Sequence, residues 1–173
     1  MVTLVPVEED QISELAAMAD GIWHEYFPSI LSDGQIDYMV DRFQSERAMR
    51  NQISAQGYRY YFIVDTGMRI GYTAIKPEDD RLFISKIYLI KEYRGKGLGS
   101  KAIELIDTFC RSNGLSSAYL TVNRNNQKAI RSYSRNGFVI VRDQVADIGN
   151  GYVMDDYVME KVYRCSFPRP LRR

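Results

Sequence analysis

Apolar residues recur along this chain in two rhythms, one with the period of a helix and one with that of a strand. Between Glu8 and Tyr26, the residues Ile12, Leu15, Ala16, Ala19, Ile22 and Trp23 fall at helical spacing and predict an amphipathic helix. Met1 to Val7 ahead of it reads as an edge strand. Phe27 to Gly34 reads as a loop, and Gln35 to Phe43 and Glu46 to Ser54 as shorter helices. Tyr60 to Asp65 and Arg69 to Pro77 are strand-like runs around Thr66-Gly67, which predicts a hairpin turn. Leu82 to Ile90 is nearly apolar throughout, as expected of a strand covered on both faces. The next helix, Leu98 to Asn113, meets a left-handed stop at Asn113-Gly114. Ser116 to Val122 follows as a strand and Gln127 to Asn136 as a helix stopped by Gly137. Phe138 to Val145 and Tyr152 to Val162 form a last antiparallel pair around Gly149-Asn150-Gly151.

This order predicts an α/β protein with a mixed, mostly antiparallel sheet, because only the connection through Leu98 to Asn113 demands a parallel crossover. A chain of 173 residues fits one domain, expected over 1–163. Residues 164–173 read as a basic tail, with Arg164, Arg169, Arg172 and Arg173 among Pro168 and Pro170.

Charge and cysteine content narrow the function classes. Lys and Arg number 23 against 22 Asp and Glu, a net charge of +1, so neither nucleic acid nor a membrane surface is expected as a partner. Two cysteines, Cys110 and Cys165, and one histidine, His24, lack the spacings of a metal cluster, and no metal is expected. Cys110 falls on the apolar side of its helix, as a core thiol would. The first residues lack the basic start and apolar run of a signal peptide, which predicts a cytoplasmic chain.

The strongest chemical signal is Arg94-Gly95-Lys96-Gly97-Leu98-Gly99, placed where a strand feeds a helix. Glycine at every second position leaves backbone amides bare, and with the positive end of the helix dipole they suit a pyrophosphate. Arg94 and Lys96 add cationic side chains there. A tight connection with no ligand would also call for glycines. A P-loop is excluded because Ser100-Lys101 reverses the order of its lysine and hydroxyl. A dinucleotide fingerprint is excluded because the following strand ends in Asn123-Arg124-Asn125-Asn126, with no acid for a ribose. About thirty residues on stands Asn126-Gln127-Lys128-Ala129-Ile130-Arg131-Ser132-Tyr133, closed by Asn136-Gly137-Phe138.

Together these two segments resemble the GCN5-related N-acetyltransferase (GNAT) superfamily. Its pattern [QR]-x-x-G-x-[GA] is met by Arg94, Gly97 and Gly99, and its N-x-x-A-x-x-x-Y by Asn126, Ala129 and Tyr133. The resemblance implies an acyl-CoA N-acyltransferase fold with flanking helices and a splayed central parallel strand pair. It implies acetyl-CoA as co-substrate, its pyrophosphate on the Arg94 to Ser100 segment and its arm bonded by main-chain groups near Ile87 and Leu89 and by Asn126. Asn126 also reads as a helix cap. Tyr133 would be the general acid that protonates the leaving thiolate; a buried aromatic is the other reading of its position. Many members carry a glutamate base on the strand before the glycine loop, where this chain has Ser85 and Lys86. His24 and Glu25 are the alternative base candidates, beside deprotonation through water.

The acceptor implied is a primary amine of a small molecule or peptide. Trp23 to Phe27, with Asp33, Asp37, Asp41 and Met154-Asp155-Asp156-Tyr157, is similar to bacterial polyamine acetyltransferases; ordinary amphipathic helices with wet carboxylates explain the same residues. Two other functions fit the motifs, a non-catalytic acyl-CoA sensor or interaction module and a nucleotide-binding regulator. A homodimer through an edge strand such as Phe138 to Val145 is a further expectation.

Overall fold

A computed structural model describes residues 1–163; the expected basic tail and Cys165 lie outside the described residues. One mixed sheet runs through them. Its strands are β1 (Val2–Pro6), β2 (Arg59–Asp65), β3 (Met68–Glu78), β4 (Arg81–Leu89), β5 (Ser117–Asn123), β6 (Val139–Gly149) and β7 (Tyr152–Val162). They lie in the order β1-β2-β3-β4-β5-β7-β6, and only β4 and β5 are parallel. The crossover between those two is α4 (Leu98–Ser112), whose Ala102, Ile103, Ile106 and Cys110 are buried.

Helices cover both faces. α4 and α5 (Gln127–Arg135) bury Ile103, Ile106 and Ile130 against Leu82, Ile84, Ala118 and Leu120 on one side. α1 (Ile12–Tyr26) and α3 (Glu46–Ala55) bury Ile12, Leu15, Ala19 and Met49 against Tyr60, Phe62 and Tyr72 on the other.

Three expectations need correction. Phe27 to Gly34 is not a plain loop: Phe27–Ser29 makes one tight turn, and α2 (Asp33–Met39) starts after it. Ser32 caps that helix by accepting from the Gln35 amide at 3.2 Å. The helix expected to reach Phe43 changes at Val40–Gln44 to π geometry, which buries Gln44. β6 runs four residues beyond Val145 to Gly149, and as the outer strand it exposes Val139, Ile140, Val141 and Val145.

β4 departs most usefully from its expected pattern. Ala74 pairs with Lys86 and Ile75 with Ile84, so Ser85 is an extra, bulged residue. Before the bulge the even positions Leu82 and Ile84 face α4; after it the odd positions Ile87 and Leu89 do. Lys86 and Tyr88 are thereby turned toward α1 and α3. The α1–α3 face of β4 is consequently not covered as a doubly buried strand would be, and part of it walls a cavity.

Candidate active site

β4 and β5 pair only from Arg81 to Phe83 and Ser117 to Tyr119. Beyond that point they diverge, and the β5-facing edge of β4 from Ile84 to Leu89 has no strand partner, leaving the main-chain groups of Ile87 and the amide of Leu89 available while Arg94 takes the Leu89 carbonyl. The divergence starts after Phe83, just ahead of the Ser85 bulge. It opens into a cavity of about 320 Å³ on the α1–α3 side, walled by Trp23, Phe27, Phe43, Tyr58 and Tyr88, with Thr121 and Asn123 of β5.

The glycine loop stands at the other end of the diverging edge. Gly95 and Gly97 have φ of 73° and 75°, left-handed geometry that other residues adopt only at a cost. No side chain among the described residues caps α4, and the first-turn amides of Leu98, Gly99 and Ser100 have no intrahelical partners. A Cβ at Gly95 or Gly97 would meet nothing within 4 Å, so the cradle is open, as a pyrophosphate requires. Lys96 lies over the Tyr93 ring, its Nζ 5.7 Å from the centroid. The Ser100 hydroxyl accepts from Asn136 at 3.0 Å, tying the end of α5 to the start of α4.

Arg94 has protein partners of its own. Its Nε donates to the Leu89 carbonyl at 2.8 Å, Nη1 pairs with Glu25 at 2.6 Å, and the guanidinium lies 4.8 Å from the Tyr26 ring centroid. Its Nη2 is buried with no partner among the described residues. Tyr26 in turn donates to Asn126 Oδ1 at 2.7 Å, and the same oxygen caps α5 through the Ala129 amide at 3.3 Å. Arg94, Tyr26 and Asn126 therefore bridge the glycine loop, the end of α1 and the start of α5 across the strand gap.

Tyr133 and Asn126 both line the cavity. The Tyr133 ring packs edge-on against Phe138, with centroids 6.0 Å apart. Burial, with the neighbouring Tyr26, pushes its hydroxyl well above the ordinary tyrosine range. His24 and Glu25 lie outside the cavity wall. Glu25 is held by Arg94. His24 bonds Asp37 through Nε2 at 2.7 Å and the Asp20 carbonyl through Nδ1 at 3.0 Å, and the Asp37 bond, then the Asp20 carbonyl, raise its pKa. Asp33, Asp37 and Asp41 are solvent-exposed, while Gln35, Met39 and Phe43 on the opposite side of that segment face the cavity.

Two buried ionisable residues stand in the wall: Asp156, expected from the sequence only as part of an acidic acceptor segment, and Lys86, which was not a candidate. Asp156 on β7, opposite Asn123 of β5, is 3% exposed. Burial first, then the adjacent Asp155, pushes its carboxyl up to about 6. Lys86 is 5% exposed; its Nζ donates to Gln52 Oε1 at 2.8 Å and lies 5.4 and 5.2 Å from the Tyr58 and Tyr60 ring centroids. Burial pulls its ammonium down to about 7. The Asp155-Asp156 pair was named from the sequence, but the burial of Asp156 beside β5 was not. Lys86 was hidden by the bulge.

A strand pair that parts beside a glycine-cradled helix start, above a cavity lined by a tyrosine and a carboxylate, suits an acyl-carrier substrate. Residues 16–138 match the acetyltransferase (GNAT) family, and the chain belongs to it. Its class is accordingly that of acetyl-CoA-dependent N-acetyltransferases. An uncharacterised N-acetyltransferase of Mycobacterium bovis is 27% identical over 147 residues, covering 84% of this chain and 94% of the relative. Another uncharacterised N-acetyltransferase, of Lactobacillus delbrueckii subsp. lactis, is 23% identical over 168 residues, covering 92% and 96%. Among solved structures, the PaiA N-acetyltransferase of Thermoplasma acidophilum in complex with coenzyme A superposes with a TM-score of 0.77 at 19% identity, over 94% of this chain and 99% of that one. A mutant of the spermidine N-acetyltransferase SpeG from Vibrio cholerae gives 0.67 at 20% identity, over 93% of each chain. At such identities the structures establish the fold and leave the acceptor open.

Proposed function

We propose that this chain moves an acetyl group from acetyl-CoA to a primary amine by direct attack in a ternary complex. The observation that carries the reading is the parting of β4 and β5 beyond Phe83 and Tyr119, which joins the uncapped start of α4 to the cavity holding Tyr133 and Asp156. The thioester arm would run along the unpaired edge of β4 near Ile87 and Leu89. Its pyrophosphate would rest on the amides from Gly95 to Ser100 beside Lys96, while Arg94 keeps the cradle in place through Glu25 and Leu89.

An alkyl ammonium has a pKa of about 10.4 in water and must lose a proton before it can attack. Asp156 is the acceptor for that proton best supported by geometry, since it lines the cavity and no hydrogen bond from the described residues fixes its carboxylate. Tyr133 donates to the sulfur as the carbon–sulfur bond breaks. Its raised pKa keeps the phenol protonated, and the dry surroundings that raise it also raise the basicity of the departing thiolate. No helix among the described residues is long and apolar enough to cross a membrane.

Incubation with acetyl-CoA and a panel of diamines, polyamines, amino acids and short peptides should release free thiol, and mass spectrometry should find one added acetyl group on the acceptor. Tight acetyl-CoA binding without thiol release from any amine would leave an acyl-CoA-binding module in place of the enzyme. Gly97→Ala forces an L-residue into the left-handed region, a cost of roughly 1–2 kcal/mol. It should also raise KM for acetyl-CoA about tenfold, equivalent to 1.4 kcal/mol. An unchanged KM in steady-state kinetics would detach the cradle from the pyrophosphate.

A further inference from the structure

Among the described residues, Lys86 is the one buried lysine or arginine in the cavity wall, and acetyl transfer as described does not use it. Tyr60 of β2, Ala74 of β3 and Lys86 of β4 are successive cross-strand neighbours, and the small Ala74 side chain lets the lysine lean over it toward Tyr60 and Gln52. The lean carries Nζ away from the strand gap where the thioester would lie, which argues against a role at the reacting carbon. No carboxylate lies within 4 Å of Nζ among the described residues; its partners are Gln52 Oε1 and, at 3.4 Å, the Ser85 hydroxyl. An ammonium has three donors. At least one is left for a ligand.

We propose that the acceptor amine carries a carboxylate, which Lys86 binds, so that the substrate is an ω-amino acid or short peptide rather than a polyamine. This rests on the reading of the cavity as the acceptor site. Lys86 and Asp156 sit two strands apart, roughly 10 Å by ordinary strand spacing and more where β4 and β5 have parted. The cavity is thus bipolar. Its negative end, beside Tyr133 and Asn126, suits the amine; its positive end, between Tyr58 and Gln52, suits an anion. A polyamine would bring a second cation against a buried ammonium, which costs both interactions at once. One cation among amides and hydroxyls matches a monoanionic carboxylate better than a doubly charged phosphate. The low proton affinity of Lys86 in the unliganded cavity agrees, because a bound carboxylate supplies the counter-charge that burial has removed.

The test is calorimetric titration of the coenzyme A-saturated protein with matched six-carbon probes, 6-aminohexanoate and 1,6-diaminohexane, followed by shorter and longer ω-amino acids, dipeptides and aminohexyl phosphate. The best carboxylate probe should bind at least about tenfold more tightly than the diamine, the scale of one charge-assisted hydrogen bond. Lys86→Met should reduce that ratio to near one while retaining a cooperative melt. Equal or tighter binding of the diamine, stronger binding of the phosphate, no binding by any carboxylate probe, or a preference that survives in a folded Lys86→Met protein would each overturn the proposal. Thiol release judges the transferase reading separately. Turnover with the diamine alone would keep acetyl transfer and discard the carboxylate, whereas tight 6-aminohexanoate binding with no thiol released from any amine would do the reverse.

Discussion

Tyr133→Phe is expected to lower kcat for acetyl transfer by about 10²–10⁴-fold, the usual contribution of a positioned general acid. The substitution removes one oxygen and keeps the ring that packs on Phe138. Because the hydroxyl has no hydrogen bond to lose among the described residues, stability should change by no more than ~0.5 kcal/mol. KM for acetyl-CoA should stay within about threefold, since the lost interaction belongs to the breaking bond rather than to ground-state binding. Steady-state thiol release at saturating amine and a thermal melt check both halves. An unchanged kcat would remove Tyr133 from the chemistry and leave it a wall residue. A fall in kcat matched by a fall in melting temperature would mark a packing role.

What the chain discloses before folding depends on whether local pattern or long-range register sets a feature. The parallel crossover was legible because Leu98 to Asn113 joins two apolar runs that no short turn can connect. The glycine loop was legible because its chemistry is local, six residues between a strand and a helix. The order β5-β7-β6 was not: Tyr152 to Val162 reads as the partner of β6, and nothing local says that its other edge meets β5 along Ser117–Asn123. That insertion brings Asp156 into the cavity. Lys86 is the sharper case, because a two-residue period assigns it to the face of Leu82 and Ile84, and one bulged serine reverses the assignment. Arg94 matches its motif, yet the pairing with Glu25 could not be read, as it depends on how the end of α1 settles against the glycine loop.

Lys86→Met should stabilise the protein, and most of all at low pH. An exposed lysine titrates near 10.5, whereas burial among Tyr58, Tyr60, Gln52 and Ser85 brings Lys86 down to about 7. Above the unfolded value the amine is neutral in both states and carries no penalty. Below it the unfolded chain takes up a proton that the folded chain refuses, so the penalty grows as pH falls toward 7 and levels off beneath that. At 1.36 kcal/mol per pH unit the full effect is of order 5 kcal/mol. Methionine fills a similar volume without a charge, leaving Gln52 Oε1 bonded to Tyr60 at 2.6 Å. After allowance for the lost bond and ring contacts, a gain of about 2–3 kcal/mol is expected at pH 6, dwindling to nothing or a slight loss by pH 10. Denaturant midpoints at pH 6, 8 and 10 measure it directly, and a variant destabilised equally at all three would mean that Lys86 is not charged at a cost. The same substitution that hardens the protein should also erase the proposed preference for a carboxylate-bearing acceptor, so that stability and acceptor selectivity move in opposite directions at one residue.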